Sequence, residues 1–183
     1  MKSAIWRSNL QSVLVEEPAI AIPDEIGRTF RAHHGLIFRT AYRITGNAAD
    51  AEDVLQTVFL RLLRRTAQSE ALENEESYLR RAAINAALDV VRARTDDRSL
   101  ELVDPPASHS GSDTPELRQA LRRALSKLNP RSAQIFTLRF FEGLDNKEIA
   151  RMLGISRVLV AVLVHRTRQQ LRKELAAYSG DKL

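Results

Sequence analysis

The residues from Asp145 to Ser156 leave little choice of local structure. Asp145 is an N-cap residue with Glu148 three positions later, a capping box in which each side chain satisfies an otherwise unpaired amide at a helix start. Ile149, Met152 and Leu153 then recur at helical spacing, with the small Ala150 beside them where another helix can approach closely. Gly154 stops this helix, as a residue free to take positive φ does, and Ser156 caps the next one. A short glycine-containing turn between two helices is the spacing of the DNA-binding helix-turn-helix, whose second helix enters the major groove by its N-terminal end. No glycine or proline follows until Gly180, so the second helix has room to be long.

Charge supports a nucleic-acid partner for this segment. Between Arg131 and Leu175 there are nine Lys and Arg against four Asp and Glu, an excess of five that equals the net charge of the whole chain. Cations concentrated in this way neutralise phosphates and release condensed counterions. A solvated basic face has the same composition, and the adjoining turn favours DNA.

Val158 to Val164 form an unbroken apolar, mostly β-branched run where a base-reading helix ordinarily presents polar side chains. By composition the run also suits a buried strand. The capping serine before it and the charged helical pattern after it keep it helical. Base-edge hydrogen bonds cannot come from such a stretch. Contacts with DNA are expected instead from Ser156 and Arg157, from apolar contact with thymine methyls, and from phosphate contacts by His165, Arg166 and Arg168. Contact of the apolar stripe with another protein is the alternative.

A chain of 183 residues suits one or two small domains. It has no cysteine, which removes disulfides, thiolate zinc sites and thiol catalysis. No apolar run reaches the roughly 18 residues that span a bilayer, and the apolar stretch Ser12 to Ile22 is broken by Glu16, Glu17 and Pro18. The expectation is a cytoplasmic protein with no membrane insertion.

Residues 1–23 read as a loosely ordered extension. From Asp24 the pattern is helical, with Ile26, Phe30, Ile37, Ala41 and Ile44 defining an inward face that ends at Gly46. Asn47 caps a second helix whose broad apolar face comprises Val54, Leu55, Val58, Phe59, Leu62 and Leu63. Asp50, Glu52, Asp53 and Gln56 lie toward its outside. Thr66 to Glu76 reads as a polar, acidic loop. A third helix, from about Asn74 to Arg94, packs through Leu79, Ala82, Ala83, Ala86 and Val90. Its Arg81, Asn85, Asp89 and Arg92 align in one polar stripe, which suits an ordinary solvated surface as well as a binding face.

Residues 95–114 form the clearest boundary. Pro105, Pro106, a Ser/Gly cluster and the acids Asp96, Asp97, Glu101, Asp104 and Asp113 face a single Arg98. Too few large apolar groups are present to offset the entropy of ordering, so a flexible acidic linker is expected. Thr114 and Pro115 then start a helix with Leu117, Leu121, Leu125 and Leu128 inward. Asn129 and Pro130 repeat the signal for a helix carrying Ile135, Leu138 and Phe141. The fold class is therefore all-α: two small helical domains, at 24–94 and 115–178, joined by the linker.

Taken together, these motifs resemble bacterial RNA polymerase sigma factors of the extracytoplasmic function (ECF) group, over about residues 25–176. Asp50-Ala-Glu-Asp53-Val-Leu-Gln56 with Phe59 resembles the polymerase-binding segment of region 2. Tyr78-Leu79 through Asn85, Asp89 and Arg92 resembles the strand-opening helix that reads the −10 element. Leu128-Asn-Pro-Arg131, Phe141-Glu-Gly143-Leu, Glu148-Ile-Ala150 and Leu153-Gly-Ile-Ser156 resemble region 4, which reads the −35 element. The resemblance implies an alternative sigma factor for transcription initiation that binds core RNA polymerase and promoter DNA and is held by an anti-sigma factor, with no enzymatic activity and no cofactor. It implies polymerase contacts at Asp50, Glu52, Asp53 and Gln56, −10 contacts at Arg80, Arg81, Asn85, Asp89 and Arg92, and −35 contacts at Lys147, Ser156, Arg157, His165, Arg166 and Arg168. Ala161, Val162 and Leu163 stand where members often carry lysine, serine and arginine.

Two other classes compete. A stand-alone helix-turn-helix transcriptional regulator shares the C-terminal motif, but residues 25–94 would then be a ligand or receiver module, and they lack the strand and helix alternation of a receiver. A sigma-like protein repurposed for protein–protein interaction is the other. His33 and His34 are adjacent, so they diverge on a helix instead of sharing the i, i+4 face of metal ligands.

Overall fold

The computed structural model describes residues 24–67, 72, 74–96 and 115–180, and among these the chain is all-α, with seven helices and no strand. They are α1 (Asp24–Thr45), α2 (Ala48–Ala67), α3 (Glu75–Asp96), α4 (Pro115–Ser126), α5 (Pro130–Phe140), α6 (Asn146–Leu153) and α7 (Arg157–Gly180). The N-terminal extension and the linker from residue 97 to residue 114 lie outside the described residues. So do residues 68–71 and 73 of the expected 66–76 loop, of which Thr66 and Ala67 belong to α2 and Glu75 and Glu76 to α3.

Local chemistry sets the helix boundaries. Gly46 ends α1 with φ of +81°, and a Cβ there would collide with the Arg122 guanidinium besides straining the backbone. Asn47 caps α2 by accepting from the Asp50 amide at 2.8 Å. Asn74 does the same for α3 through the Ser77 amide at 2.8 Å, and Asn129 for α5 through the Ser132 amide at 2.8 Å, with Pro130 in the first turn.

The helices α1, α2 and α3 pack around Ile37, Ala41, Ile44, Val54, Val58 and Leu79. The helices α4 to α7 pack around Leu125, Ile135, Leu138, Ile149 and Val160. Buried apolar residues run continuously from one module into the other, because α3 is buried on two sides. One side meets α1 and α2, and the other meets α4 and α5. Ile84, Ala87, Leu88 and Val91 form a second stripe at helical spacing, all buried, beside the expected one. Burying Ile84 and Leu88 alone is worth about 1.5–3 kcal/mol each.

Two inward assignments, Phe30 and Leu117, are corrected. Phe30 is 43 % exposed, stacked on His34 and tilted against Phe59, because it lies at the open end of α1. Leu117 is 39 % exposed in the first turn of α4, while Ala120 and Ala124 take the buried places. Phe141 follows α5 as its C-cap and is partly buried against the core.

Candidate nucleic-acid interface

The turn from α6 to α7 has the geometry the capping residues require. Asp145 Oδ1 accepts the amides of Lys147 and Glu148 at 2.7 and 2.8 Å, and Glu148 Oε2 accepts the Asp145 amide at 2.7 Å. These amides, Glu148's first, hold the Asp145 carboxyl below its ordinary range. Gly154 sits in the left-handed region with φ of +62°, its amide turned back to Ala150 and Arg151. Arg131 closes the turn by donating to the Leu153 carbonyl at 3.3 Å. The Ser156 hydroxyl accepts the Leu159 amide at 3.1 Å, which caps α7 and uses the oxygen as an acceptor.

The run from Val158 to Val164 is helix, not strand. Val160 is fully buried, and Thr167 and Leu171 continue its stripe into the core. The opposite face is bare: Val158 is 73 % exposed, Leu159 43 % and Val162 39 %, with Ala161 exposed between them. Lys147, Arg157, His165, Arg166 and Arg168 are all exposed around this face. The Gln169 amide lies 3.0 Å from His165 Nε2.

In the first module, Glu52, Asp53 and Gln56 are exposed near the start of α2. Asp50 is not, which corrects the outward placement. It is 5 % exposed, 2.5 Å from Arg94 Nη2 and bonded to the Asn47 amide group at 2.7 Å. Burial pushes its carboxyl up, against the opposing pull of Arg94 and Asn47. Asp50 therefore ties the start of α2 to the end of α3.

The polar stripe of α3 is split. Asp89 and Arg92 pair with each other at 3.1 Å on the outside. Arg81 Nε and Arg92 Nη2 are buried donors with no hydrogen-bond partner. Arg80 reaches Glu76 at 2.7 Å and also grips Glu142, beyond α5. Asn85 Oδ1 accepts from Gln134 Nε2 of α5 at 2.8 Å. Glu142, whose side chain is 2 % exposed, also accepts from Thr40 at 3.0 Å and pairs with Arg43 at 3.5 Å. Glu142 and Gln134 went unnoticed in the sequence as partners of α3, since each lies far from its partner along the chain. An open cleft of about 500 Å³ between α1 and α4 contains Arg39, Arg43, Arg118 and Arg122. Burial, reinforced by neighbouring Arg118 and Arg94, lowers the Arg122 pKa.

Among the described residues no group of three or more His, Cys, Asp or Glu gathers as metal ligands. His33 lies 3.8 Å from Glu75, and His34 Nδ1 lies 3.1 Å from the Phe30 carbonyl.

Two helical modules, the second a helix-turn-helix, define a class of transcription protein, and the chain matches the two conserved parts of one family in order: Sigma-70 region 2 over residues 29–96 and Sigma-70, region 4 over 118–171. It is similar to the ECF RNA polymerase sigma factor SigE of Mycolicibacterium smegmatis, 34 % identical over 160 residues that cover 82 % of this chain and 62 % of that protein. The RNA polymerase sigma-E factor of Streptomyces coelicolor is 30 % identical over 152 residues, covering 82 % of this chain and 86 % of that protein. The chain belongs to the sigma-70 family, in its extracytoplasmic function group, and is an alternative sigma factor of transcription initiation. Its fold is like that of the sigma factor RpoE solved in complex with the anti-sigma factor NepR from Bartonella quintana, with a TM-score of 0.50 and 18 % identity over 84 % of this chain and 98 % of that one.

Proposed function

We propose that the chain binds core RNA polymerase through Glu52, Asp53 and Gln56, reads the −10 strand through α3 and reads −35 duplex through α7. Carrying this reading is the presence of both sigma-70 regions in one chain, which a stand-alone helix-turn-helix regulator lacks. The exposed carboxylates at the start of α2 suit basic residues on the polymerase. Asp50 is excluded from that contact and acts by positioning α2 through Arg94.

For the −10 strand, Arg81 Nε and Arg92 Nη2 are buried donors without a partner, and once uncovered such groups find acceptors on phosphates and on the exposed edges of unstacked bases. Arg80 and Asn85 are occupied by Glu142 and Gln134 in the free chain. Strand reading by these two residues therefore requires α5 and the following turn to leave α3, and binding to core polymerase supplies the free energy of that exchange. The reading also includes an anti-sigma factor as protein antagonist, supported by the complex solved for the structural neighbour. Among the described residues no helix is long and apolar enough to cross a membrane, and promoter binding places the chain's work in the cytoplasm.

Asp53→Arg tests the reading. The variant keeps the wild-type melting temperature, because Asp53 is exposed, yet fails to be retained by immobilised core polymerase. Equal retention of variant and wild type contradicts the assignment. DNA binding and regulation that need no polymerase contact support the stand-alone regulator.

A further inference from the structure

We infer that α7 selects its −35 element by apolar contact with thymine methyl groups, with Val158 and Val162 as the specificity-determining residues. The inference rests on the reading of α7 as a major-groove helix. The second helix of this motif presents its N-terminal residues to base edges. Here those residues are Arg157, Val158, Ala161 and Val162, all exposed and one turn apart in pairs. No side chain between Arg157 and His165 carries a hydrogen-bonding group, and the Ser156 oxygen already accepts the Leu159 amide.

The major groove contains one apolar group, the thymine C5 methyl, among otherwise polar base edges. An apolar side chain pressed on a G·C pair strips water from donors and acceptors that gain nothing in return. Against a thymine methyl, the same side chain gains burial. Val158 and Val162 are separated by one helical turn, about 6 Å along the axis at 1.5 Å per residue. That spacing spans about two base-pair steps along the groove, so two thymines close together are expected. The occupant is nucleic acid and not an apolar protein surface because the two helices of the motif expose the cations Lys147, Arg151, Arg157, Arg166 and Arg168. Backbone phosphates on both sides of the groove complement those cations.

The test uses the chain bound to core polymerase and the −35 sequence of a promoter mapped by its transcript start sites. Each −35 thymine is replaced by deoxyuridine, which removes the methyl and leaves the Watson–Crick edge unchanged. The expected loss of affinity is about fourfold per contacted methyl, the equivalent of about 0.8 kcal/mol per buried carbon, and about 15-fold for two. Val158→Ala combined with Val162→Ala lowers affinity for the thymine duplex and makes thymine and uracil duplexes equal. Equal binding of both duplexes by the unmutated chain overturns the inference, as does a −35 element without thymine at the sensitive positions, while leaving the sigma-factor reading intact. Absence of any promoter-specific initiation overturns both.

Discussion

The two helices assigned to DNA, α3 and α7, are finished in opposite ways. The polar face of α3 proposed to read DNA is largely bonded within the protein: Arg80 holds Glu142, Asn85 holds Gln134, and Arg92 holds Asp89, while Arg81 Nε and Arg92 Nη2 stay without a partner. The face of α7 proposed to read DNA is apolar and exposed, with Val158 at 73 % exposure. Polar groups half-buried against another helix are costly to leave unmade, so a strand-reading helix is stable in the free chain when its own protein satisfies it. Apolar groups in water have no such requirement and cost only exposed area. On the proposed reading, the difference teaches that one surface must be uncovered before it can act, whereas the other is ready in the free chain.

The largest effect that can break this comparison comes from Glu142→Ala. It removes the acceptor shared by Arg80, Arg43 and Thr40, and a lost charged hydrogen-bond acceptor of this kind costs about 2–3 kcal/mol. Urea unfolding measures that loss, and the same variant binds single-stranded −10 DNA more tightly than wild type because α3 is released. Unchanged stability and unchanged strand affinity mean that α5 does not cover α3.

A smaller effect sharpens the other half. Asp145→Ala removes the N-cap of α6 and lowers the melting temperature at neutral pH. The Asp145 carboxyl is held below its ordinary value of 3.8 in the folded chain. Its stabilisation is therefore present above that pH and is lost as pH falls through the lower, folded value. Melting curves of variant and wild type converge below pH 3.8; a gap of constant size from neutral to acid pH contradicts the capping role.

The smallest effect belongs to Val158→Ser. The residue is exposed, so unfolding free energy stays within about 0.5 kcal/mol of wild type, whereas Glu142→Ala moves it several-fold more. A loss comparable to that of Glu142→Ala places Val158 in a packed contact and removes the contrast between the two helices.

What could be read from the sequence divides along the range of the interactions. The α6–α7 turn was legible because Asp145, Glu148, Gly154 and Ser156 act on neighbours within four residues. The helical path of Val158 to Val164 followed from the same local signals. Asp50 was misread as an outward charge, since its compensating Arg94 lies 44 positions away. The double burial of α3 was missed although Ile84, Ala87, Leu88 and Val91 recur at helical spacing. One apolar stripe already accounted for a three-helix module, and nothing local signals that a second module covers the other side. Glu142 was invisible for the same reason: its partners lie on α1 and α3.

The account is tested most directly by titrating fluorescent single-stranded −10 DNA, matched and scrambled, with the free chain and with the chain bound to core polymerase. The predicted result is no preference for the matched strand in the free chain and a clear preference in the polymerase complex, where α5 has left Asn85 and the following turn has left Arg80. A free chain that discriminates matched from scrambled strand as well as the complex does contradicts the claim that α3 is covered until polymerase binds.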